Sequence, residues 1–148
     1  MNPPSSDTYT ISTNPASLDL EVIHSFLATA YWSPDIPRHV IQRAIANSLC
    51  FGVYDSAFAQ VGFARVITDY ATFAYLCDVF ILPPHRGKGL SKKLMQAIID
   101  HPQLQHLRRF MLFTRDAHAL YAQFDFKPLA NPDSAMSRHT PNIYMNQT

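Results

Sequence analysis

The sequence predicts a mixed α/β domain in which an antiparallel meander is extended by a parallel strand–helix–strand unit. Three β-rich runs, at residues 49–54, 60–68 and 72–82, are separated by short turn-forming segments. A Gly-rich turn then opens a helix, and a nearly continuous apolar run follows at residues 109–114. Such a run is typical of a central parallel strand, so the unit predicts a right-handed crossover.

Before the meander, the sequence predicts one strand and two helices. Residues 1–7 are polar and proline-bearing, which predicts a frayed tail, and a first strand is expected at residues 9–13. Apolar residues recur at helical spacing from Leu18 to Ala30 and resume from Val40 to Ile45. The prolines of residues 31–37 interrupt this pattern, so an aromatic loop joins the two helices.

After the Gly-rich turn, apolar residues at helical spacing predict a helix that ends near Asp100. A short helix is expected at residues 117–123, and residues 143–145 are expected to close the sheet as a last strand. The chain has 148 residues, of which 47% are hydrophobic, enough for one substantial core. A single domain spanning residues 1–148 is therefore predicted.

Composition limits the classes of partner. A net charge of +1 and a pI near 7.9 give no field for wholesale binding to nucleic acid or an acidic membrane. No signal peptide or membrane-spanning run is evident, and Cys50 and Cys77 lie in apolar runs that suit reduced, buried thiols. We expect a cytoplasmic protein. The seven histidines form no His-Glu-x-x-His pattern, so no metal site is expected.

The Gly-rich turn has the chemistry of a pyrophosphate site. Gly87 and Gly89 allow a tight bend with exposed N–H groups, and the helix that follows contributes the partial positive charge of its N-terminus. Arg86 and Lys88 add formal charge. The P-loop pattern Gly-x-x-x-x-Gly-Lys-Ser/Thr does not occur, and the third glycine of a dinucleotide-binding turn is missing.

Two segments resemble the GCN5-related N-acetyltransferase (GNAT) superfamily. Residues 86–91, RGKGLS, are similar to its acetyl-CoA signature, with Ser91 in place of the final Gly or Ala. Residues 117–121, AHALY, are followed by Asp125-Phe126 where the family has Gly-Phe, and Asp tolerates the left-handed conformation. Thr114 stands where the family often has asparagine. The resemblance implies a mostly antiparallel central sheet with a parallel βαβ unit and helices on both faces.

The resemblance also implies a site for acetyl-CoA as co-substrate. The backbone of the strand before the turn would bind the pantetheine arm, and the turn would bind the pyrophosphate. Thr114 would offer a hydroxyl in place of asparagine. His118, three residues before Tyr121 on the expected helix, either lies on the helix surface or contacts the cofactor. The cofactor residues predicted in this way are Val79, Phe80, Ile81, Arg86, Gly87, Lys88, Gly89, Leu90, Ser91, Thr114 and His118.

Candidates for the chemistry follow from side-chain type. Tyr121 is expected to act as general acid, since a phenol stays protonated at neutral pH; core packing is its structural alternative. Asp78, a lone carboxylate in an apolar strand, either binds or deprotonates the amine or is exposed or paired with an arginine such as Arg65. Tyr31 and Trp32 either form an aromatic cage for a cationic amine or pack the helix pair onto the sheet.

Together these features predict an acetyl-CoA-dependent N-acetyltransferase that moves the acetyl group to an amine of a small molecule or peptide by direct attack. A non-catalytic acyl-CoA-binding sensor or regulatory module is the alternative. An acetylating toxin that acts on charged tRNA ranks lower, because a net charge of +1 does not indicate a basic surface for binding RNA. The resemblance also implies a homodimer through edge strands near the C-terminus.

Overall fold

The computed structural model describes residues 8–146, which contain a five-stranded sheet with helices on both faces. The predicted mixed fold is confirmed. The strands are β1 (Thr10–Ser12), β2 (Leu49–Tyr54), β3 (Gln60–Thr68), β4 (Phe73–Ile81) and β5 (Arg109–Leu112). The α-helices are α1 (Leu20–Leu27), α2 (Arg38–Ala46), α3 (Leu90–Ile99) and α4 (His118–Ala122). No helix within residues 8–146 is long and apolar enough to cross a bilayer.

The strands lie side by side in sequence order, from β1 to β5. The three pairings from β1 to β4 are antiparallel, and β4 pairs with β5 in parallel, as the meander and the crossover helix predicted. The predicted last strand at residues 143–145 is wrong. That segment forms a short 3₁₀ helix, Ile143–Asn146, after a turn in which Asn142 has a φ of +58°. Three apolar residues are too few to distinguish the two structures.

Each face of the sheet buries its own apolar cluster. On one face, α3 packs its buried side chains, Leu94, Met95 and Ile98 among them, against β2, β3 and β4. On the opposite face, Ile23 and Leu27 of α1 and Ile41 of α2 bury residues such as Phe63 and Phe80. Asp19 caps α1, because its Oδ1 accepts hydrogen bonds from the N–H groups of Glu21 and Val22.

A β-bulge at Asp78 changes the side-chain alternation of β4. Phe63 pairs with Phe80 and Arg65 with Cys77, so the single residue between the β3 partners faces two residues of β4. Asp78 has a φ of +55° within this bulge. The extra residue allows Leu76 and Ile81, an odd number of positions apart, to reach the same cluster beneath α3.

β5 pairs along its whole length, but only with the first four residues of β4. Phe73, Ala74, Tyr75 and Leu76 of β4 pair with the four residues of β5. β5 ends at Leu112, whereas β4 continues through the bulge to Ile81. The β5-facing edge of β4 therefore has no strand partner beyond Leu76 in the described chain, and a gap opens in the sheet.

The C-terminal end of α4 fixes the position of Tyr121. The N–H of Phe126 donates to the Tyr121 carbonyl and that of Asp125 to the Ala122 carbonyl, the paired hydrogen bonds of a Schellman motif. Asp125 has a φ of +68°, which agrees with the expectation that it takes the left-handed position of the family's glycine. Phe126 contacts the Tyr121 ring edge-on, with centroids 6.1 Å apart.

The left-handed conformation of Asp125 predicts a stabilising substitution. Asp125→Gly removes the steric cost of a Cβ at positive φ and should raise the free energy of unfolding by about 0.5–1 kcal/mol, or the Tm by roughly 2–4 °C. Asp125→Val should lower both, because a β-branched residue is poorly tolerated there. Thermal unfolding of the three proteins tests this, and a lower Tm for Asp125→Gly would contradict it.

Candidate active site

The Gly-rich turn lines a cavity of about 300 Å³ at the N-terminus of α3. Gly87 and Gly89 have φ values of +78° and +76°, and a Cβ at either would meet no atom within 4 Å. Backbone conformation, and not crowding, therefore requires these glycines. Gly89 is the N-cap of α3 and supplies no side-chain hydrogen bond, which leaves the first N–H groups of the helix available to an anion.

Three basic side chains line this cavity, namely His85, Arg86 and Lys92. Arg86 Nε donates to the Ile81 carbonyl at 2.8 Å, so the guanidinium also ties the turn to the end of β4. His85 Nδ1 lies 2.9 Å from the Tyr9 hydroxyl. His85 and Lys92 were missed from the sequence, although Lys92 lies one helical turn from Gly89 and its spacing was a usable signal.

Lys88 is predicted to add its charge beside the pyrophosphate, but its side chain points elsewhere in this structure, so that contact stays a prediction. Lys88 Nζ lies 3.5 Å from the Tyr9 hydroxyl, and Lys88 does not line the cavity. Arg86 and Lys88, on either side of Gly87 in the tight turn, point in different directions, so their charges do not converge on one anion in this structure. Of the other predicted cradle residues, Gly87, Gly89, Leu90 and Ser91 all line the cavity.

A second cavity, of about 520 Å³, occupies the gap between β4 and β5. On the side of α4 it is lined by Thr114, Ala117 and Tyr121. On the side of the α1–α2 loop it is lined by aromatic and acidic residues, which are Tyr31, Trp32, Tyr75 and Asp78. The cavity therefore passes through the sheet.

β4 connects the two cavities. Val79 lines the large cavity, and Ile81 lines the small one. Phe80, predicted with them to follow the pantetheine arm, has its side chain on the other face, stacked on Phe26 at 4.1 Å between centroids. Only its backbone remains available for that role.

Of the two cofactor contacts predicted near α4, Thr114 lines the large cavity and His118 lines neither cavity. Thr114 lines the large cavity, and its hydroxyl accepts the Ala117 N–H at 3.0 Å. Thr114 thus stabilises the start of α4, a role that asparagine also performs. His118 is exposed and lines neither cavity, so the structure gives no support for its predicted contact with the cofactor.

Tyr121 is placed as a proton donor would be. Its side chain lines the large cavity while the residue is only 8% exposed. Burial raises the pKa of the phenol above 10, with smaller contributions from Tyr31 and Asp116. No side chain or backbone group of residues 8–146 forms a hydrogen bond with its hydroxyl. The phenol therefore stays protonated across the neutral range and is available to a ligand.

Asp78 is held by two partners. Its Oδ2 accepts from Arg65 Nε at 2.8 Å and its Oδ1 from Trp32 Nε1 at 2.9 Å. The side chains of Arg65 and Asp78 are 17% and 12% exposed. Burial alone would lower the pKa of Arg65, but the charge of Asp78 and its hydrogen bond raise that pKa overall. Of the two sequence-based alternatives for Asp78, the structure shows the ion pair with Arg65.

Tyr31 and Trp32, the predicted aromatic cage, already contact each other and neighbouring polar side chains. Tyr31 and Trp32 are 52% and 42% exposed, and their rings meet edge-on at 5.0 Å between centroids. Trp32 donates to Asp78, and the Arg115 guanidinium carbon lies 3.8 Å from the centroid of the Tyr31 ring. Arg115 was missed from the sequence, because no local pattern joins it to a loop so distant along the chain.

Comparisons with known proteins identify the family. The model of the Acetyltransferase (GNAT) family matches residues 19–126, which include every residue that lines the two cavities. The chain belongs to the GNAT acetyltransferase family. The resemblance inferred from the Gly-rich turn and the segment around Tyr121 is therefore confirmed.

Relatives of this GNAT protein occur in fungi and bacteria. An inferred acetyltransferase of Gibberella zeae, FG08082, is 35% identical over 135 residues, which cover 78% of this chain and 76% of the relative. A crystal structure of an inferred GNAT-family acetyltransferase from Xanthomonas campestris is 53% identical and has a TM-score of 0.89. The match covers 92% of this chain and 96% of the Xanthomonas chain.

A more distant structure shares the fold. It is a predicted acetyltransferase of Clostridium acetobutylicum, crystallised with acetyl-CoA. It is 11% identical, with a TM-score of 0.64, and the match covers 88% of this chain and 94% of the other.

The cysteines of this GNAT protein are poor nucleophiles. Burial, with a smaller contribution from the charge of Asp78, raises the pKa of Cys77, which lines the large cavity, to about 12. Burial likewise raises the pKa of Cys50 to about 12. Both thiols are therefore protonated at neutral pH. Among residues 8–146, no three His, Cys, Asp or Glu side chains form a group able to hold a metal ion.

The ion pair of Asp78 predicts a large effect on stability. Asp78→Asn leaves the Arg65 charge largely buried without its counter-charge and should lower the free energy of unfolding by about 3 kcal/mol. The corresponding fall in Tm is roughly 6–12 °C. The control is Asp78→Asn combined with Arg65→Met, which removes both charges, keeps a residue that tolerates the φ of +55° at position 78, and should lose less stability. A wild-type Tm for Asp78→Asn in thermal unfolding would contradict the structural role of the pair.

Proposed function

We propose that this GNAT-family protein transfers the acetyl group of acetyl-CoA to the amine of a small molecule or peptide. The observation that carries the proposal is the alignment of two cavities along one unpaired strand edge. A cradle of free N–H groups and basic side chains lies at one end of β4, and the protonated Tyr121 phenol lies beside the gap between β4 and β5. The acetyl-CoA bound to the Clostridium relative supports the choice of co-substrate.

The residues present fit the parts of acetyl-CoA. The N–H groups from Gly87 to Ser91, with Arg86 and Lys92, would bind the pyrophosphate. The backbone of residues 79–81 would hold the pantetheine arm, which needs amide partners of the kind that an unpaired strand edge supplies. The thioester would then lie in the large cavity.

Proton balance assigns one role to Tyr121. The neutral amine attacks the thioester carbonyl, the C–N bond forms, and the C–S bond of the resulting tetrahedral intermediate breaks. The departing sulfur takes the proton of the Tyr121 hydroxyl, and the nitrogen releases its own proton to water. Asp78 is less suited to accept that proton directly, because Arg65 and Trp32 occupy its two oxygens. Tyr121 is reprotonated from solvent.

Direct attack is favoured over an acetylated cysteine. A covalent intermediate needs a thiolate, and the pKa values of about 12 for Cys50 and Cys77 keep both sulfurs protonated. Neither side chain has a basic neighbour that reverses this, because in each case the raising effect of burial exceeds the lowering effect of Arg65.

Acetyl-CoA binding is tested first, by thermal unfolding. Acetyl-CoA at a hundred times its dissociation constant should stabilise the wild type by about 2.7 kcal/mol. Combining Arg86→Ala with Lys92→Ala should reduce the shift, because both charges beside the pyrophosphate are lost. Lys127→Ala, an exposed lysine outside both cavities, is the matched control. The absence of any shift in the wild type would overturn the acetyl-CoA proposal.

The role of Tyr121 is tested by turnover. Tyr121→Phe should keep the acetyl-CoA-induced thermal shift and lower kcat by about 10²–10⁴-fold in a thiol-release assay. Tyr70→Phe, in the exposed β3–β4 turn, is the matched control, and Cys77→Ala should retain turnover if attack is direct. Because burial raises the pKa of Tyr121, loss of the phenol proton should lower the wild-type rate only at a pH above that at which an ordinary tyrosine titrates. Normal turnover by Tyr121→Phe would rule out the phenol as acid.

The same assays decide between an enzyme and an acyl-CoA-binding module. A module would show the thermal shift with no thiol release for any amine in the panel, and Tyr121→Phe would then behave as the wild type does.

A further inference from the structure

We propose that the acceptor amine also carries an anionic group, a carboxylate or a phosphate, and that Arg115 binds this group. The inference rests on the proposed acetyl transfer to an amine. Arg115 follows β5 at the point where this strand has left β4, and it lines the large cavity beside Tyr31. The inference narrows the acceptor from any amine to an amine that bears an anion.

Arg115 is preoriented by a ring and not by an acid. Its guanidinium carbon lies 3.8 Å above the Tyr31 ring, a cation–π contact. The Tyr31 ring is in turn held edge-on by Trp32, whose Nε1 is anchored on Asp78. The position of the arginine thus depends on a chain of contacts that reaches back to the Arg65–Asp78 pair.

The hydrogen-bonding capacity of Arg115 is unused. A guanidinium carries five N–H donors, and stacking on a ring satisfies none of them. No hydrogen bond or ion pair joins these donors to a group within residues 8–146, including the neighbouring Asp116. A planar cation held by its face, with its N–H edge free, has the geometry that binds a carboxylate or a phosphate through two hydrogen bonds.

The other charges of the cavity favour an acceptor with an anionic group over one with a second cationic group. Asp78 is balanced by Arg65, so it offers no free negative charge. Arg115 already covers one face of the Tyr31 ring, a surface that could otherwise hold a cation. Asp116 also lines the cavity, but it is exposed, so its repulsion of an anion is weakened by solvent.

The test compares amines that differ only in the end distant from the reacting nitrogen. The series is n-butylamine, γ-aminobutyrate, aminopropylphosphonate and putrescine, followed by the common amino acids, which bring the charge closer to the amine. Turnover is measured as kcat/KM with acetyl-CoA. Binding is measured separately, as the additional thermal stabilisation that each amine gives to the CoA-saturated protein.

The expected result is a preference of about ten- to a hundredfold in kcat/KM for amines with an anionic group over n-butylamine and putrescine. The ratio between the carboxylate and phosphonate compounds identifies which anion is preferred. Arg115→Ala should lower kcat/KM for the anionic amines by about ten- to a hundredfold and so abolish the preference, because n-butylamine has no anionic group for Arg115 to bind. Arg115→Lys should restore only part of it, because an ammonium lacks the planar fork.

Two further variants separate binding from general damage. Tyr31→Leu should lower the preference through loss of the platform and have little further effect in the Arg115→Ala background, since the two residues act as a unit. Arg109→Ala is the matched control, since Arg109 is an exposed arginine at the other end of β5 and lines neither cavity.

The outcomes are distinct. The inference is overturned by a preference for putrescine or by an anion preference that survives Arg115→Ala. It is also overturned if none of the anionic amines stabilises the CoA-saturated protein. If the anionic amines stabilise the CoA complex in an Arg115-dependent way but are not acetylated, the anion site is supported and the proposed transfer reaction fails. If acetylation occurs without any charge preference, the reaction stands and the anion site fails.

Discussion

Asp78 adopts a φ of +55° in the middle of β4, and the Arg65 guanidinium and the Trp32 indole hold its carboxylate in place. A non-glycine residue in this conformation costs free energy, which the buried ion pair must offset. The bulge reverses the alternation of side chains, so both ends of β4 can face the core beneath α3. It also bends the strand and increases its twist, which accords with the loss of pairing to β5 beyond Leu76.

The consequences of this bend lie on both faces of the sheet. On one face, the C-terminal end of β4 leads directly to the Gly-rich turn, and Arg86 ties that turn back to Ile81. On the other face, Asp78 anchors Trp32 and, through Trp32 and Tyr31, the position of Arg115. Asp78 thus lies between the end of β4 that leads to the Gly-rich turn and the aromatic loop that positions Arg115.

Features that depend on neighbours in the chain were predictable from the sequence. Gly87 and Gly89 take positive φ values as their position in the turn required, and Asp125 takes the left-handed place of a glycine. Features that depend on register or on distant contacts were not predictable. The pair of Arg65 and Asp78 was one of two alternatives until the bulge placed them together. The direction of Lys88, and the contact of Arg115 with Tyr31, are set by packing that no local pattern encodes.

The commitment of Asp78 to Arg65 changes the electrostatics expected of the acceptor site. A free carboxylate at the centre of the sheet would hold a protonated amine, which cannot attack a thioester because its lone pair is taken. Because Arg65 neutralises that charge, Asp78 does not stabilise an ammonium relative to a neutral amine. This accords with the proposed attack by a neutral amine. Under the proposed reaction, the attraction for the substrate must then act on another part of the acceptor, and Arg115, which lines the cavity, is positioned to provide it.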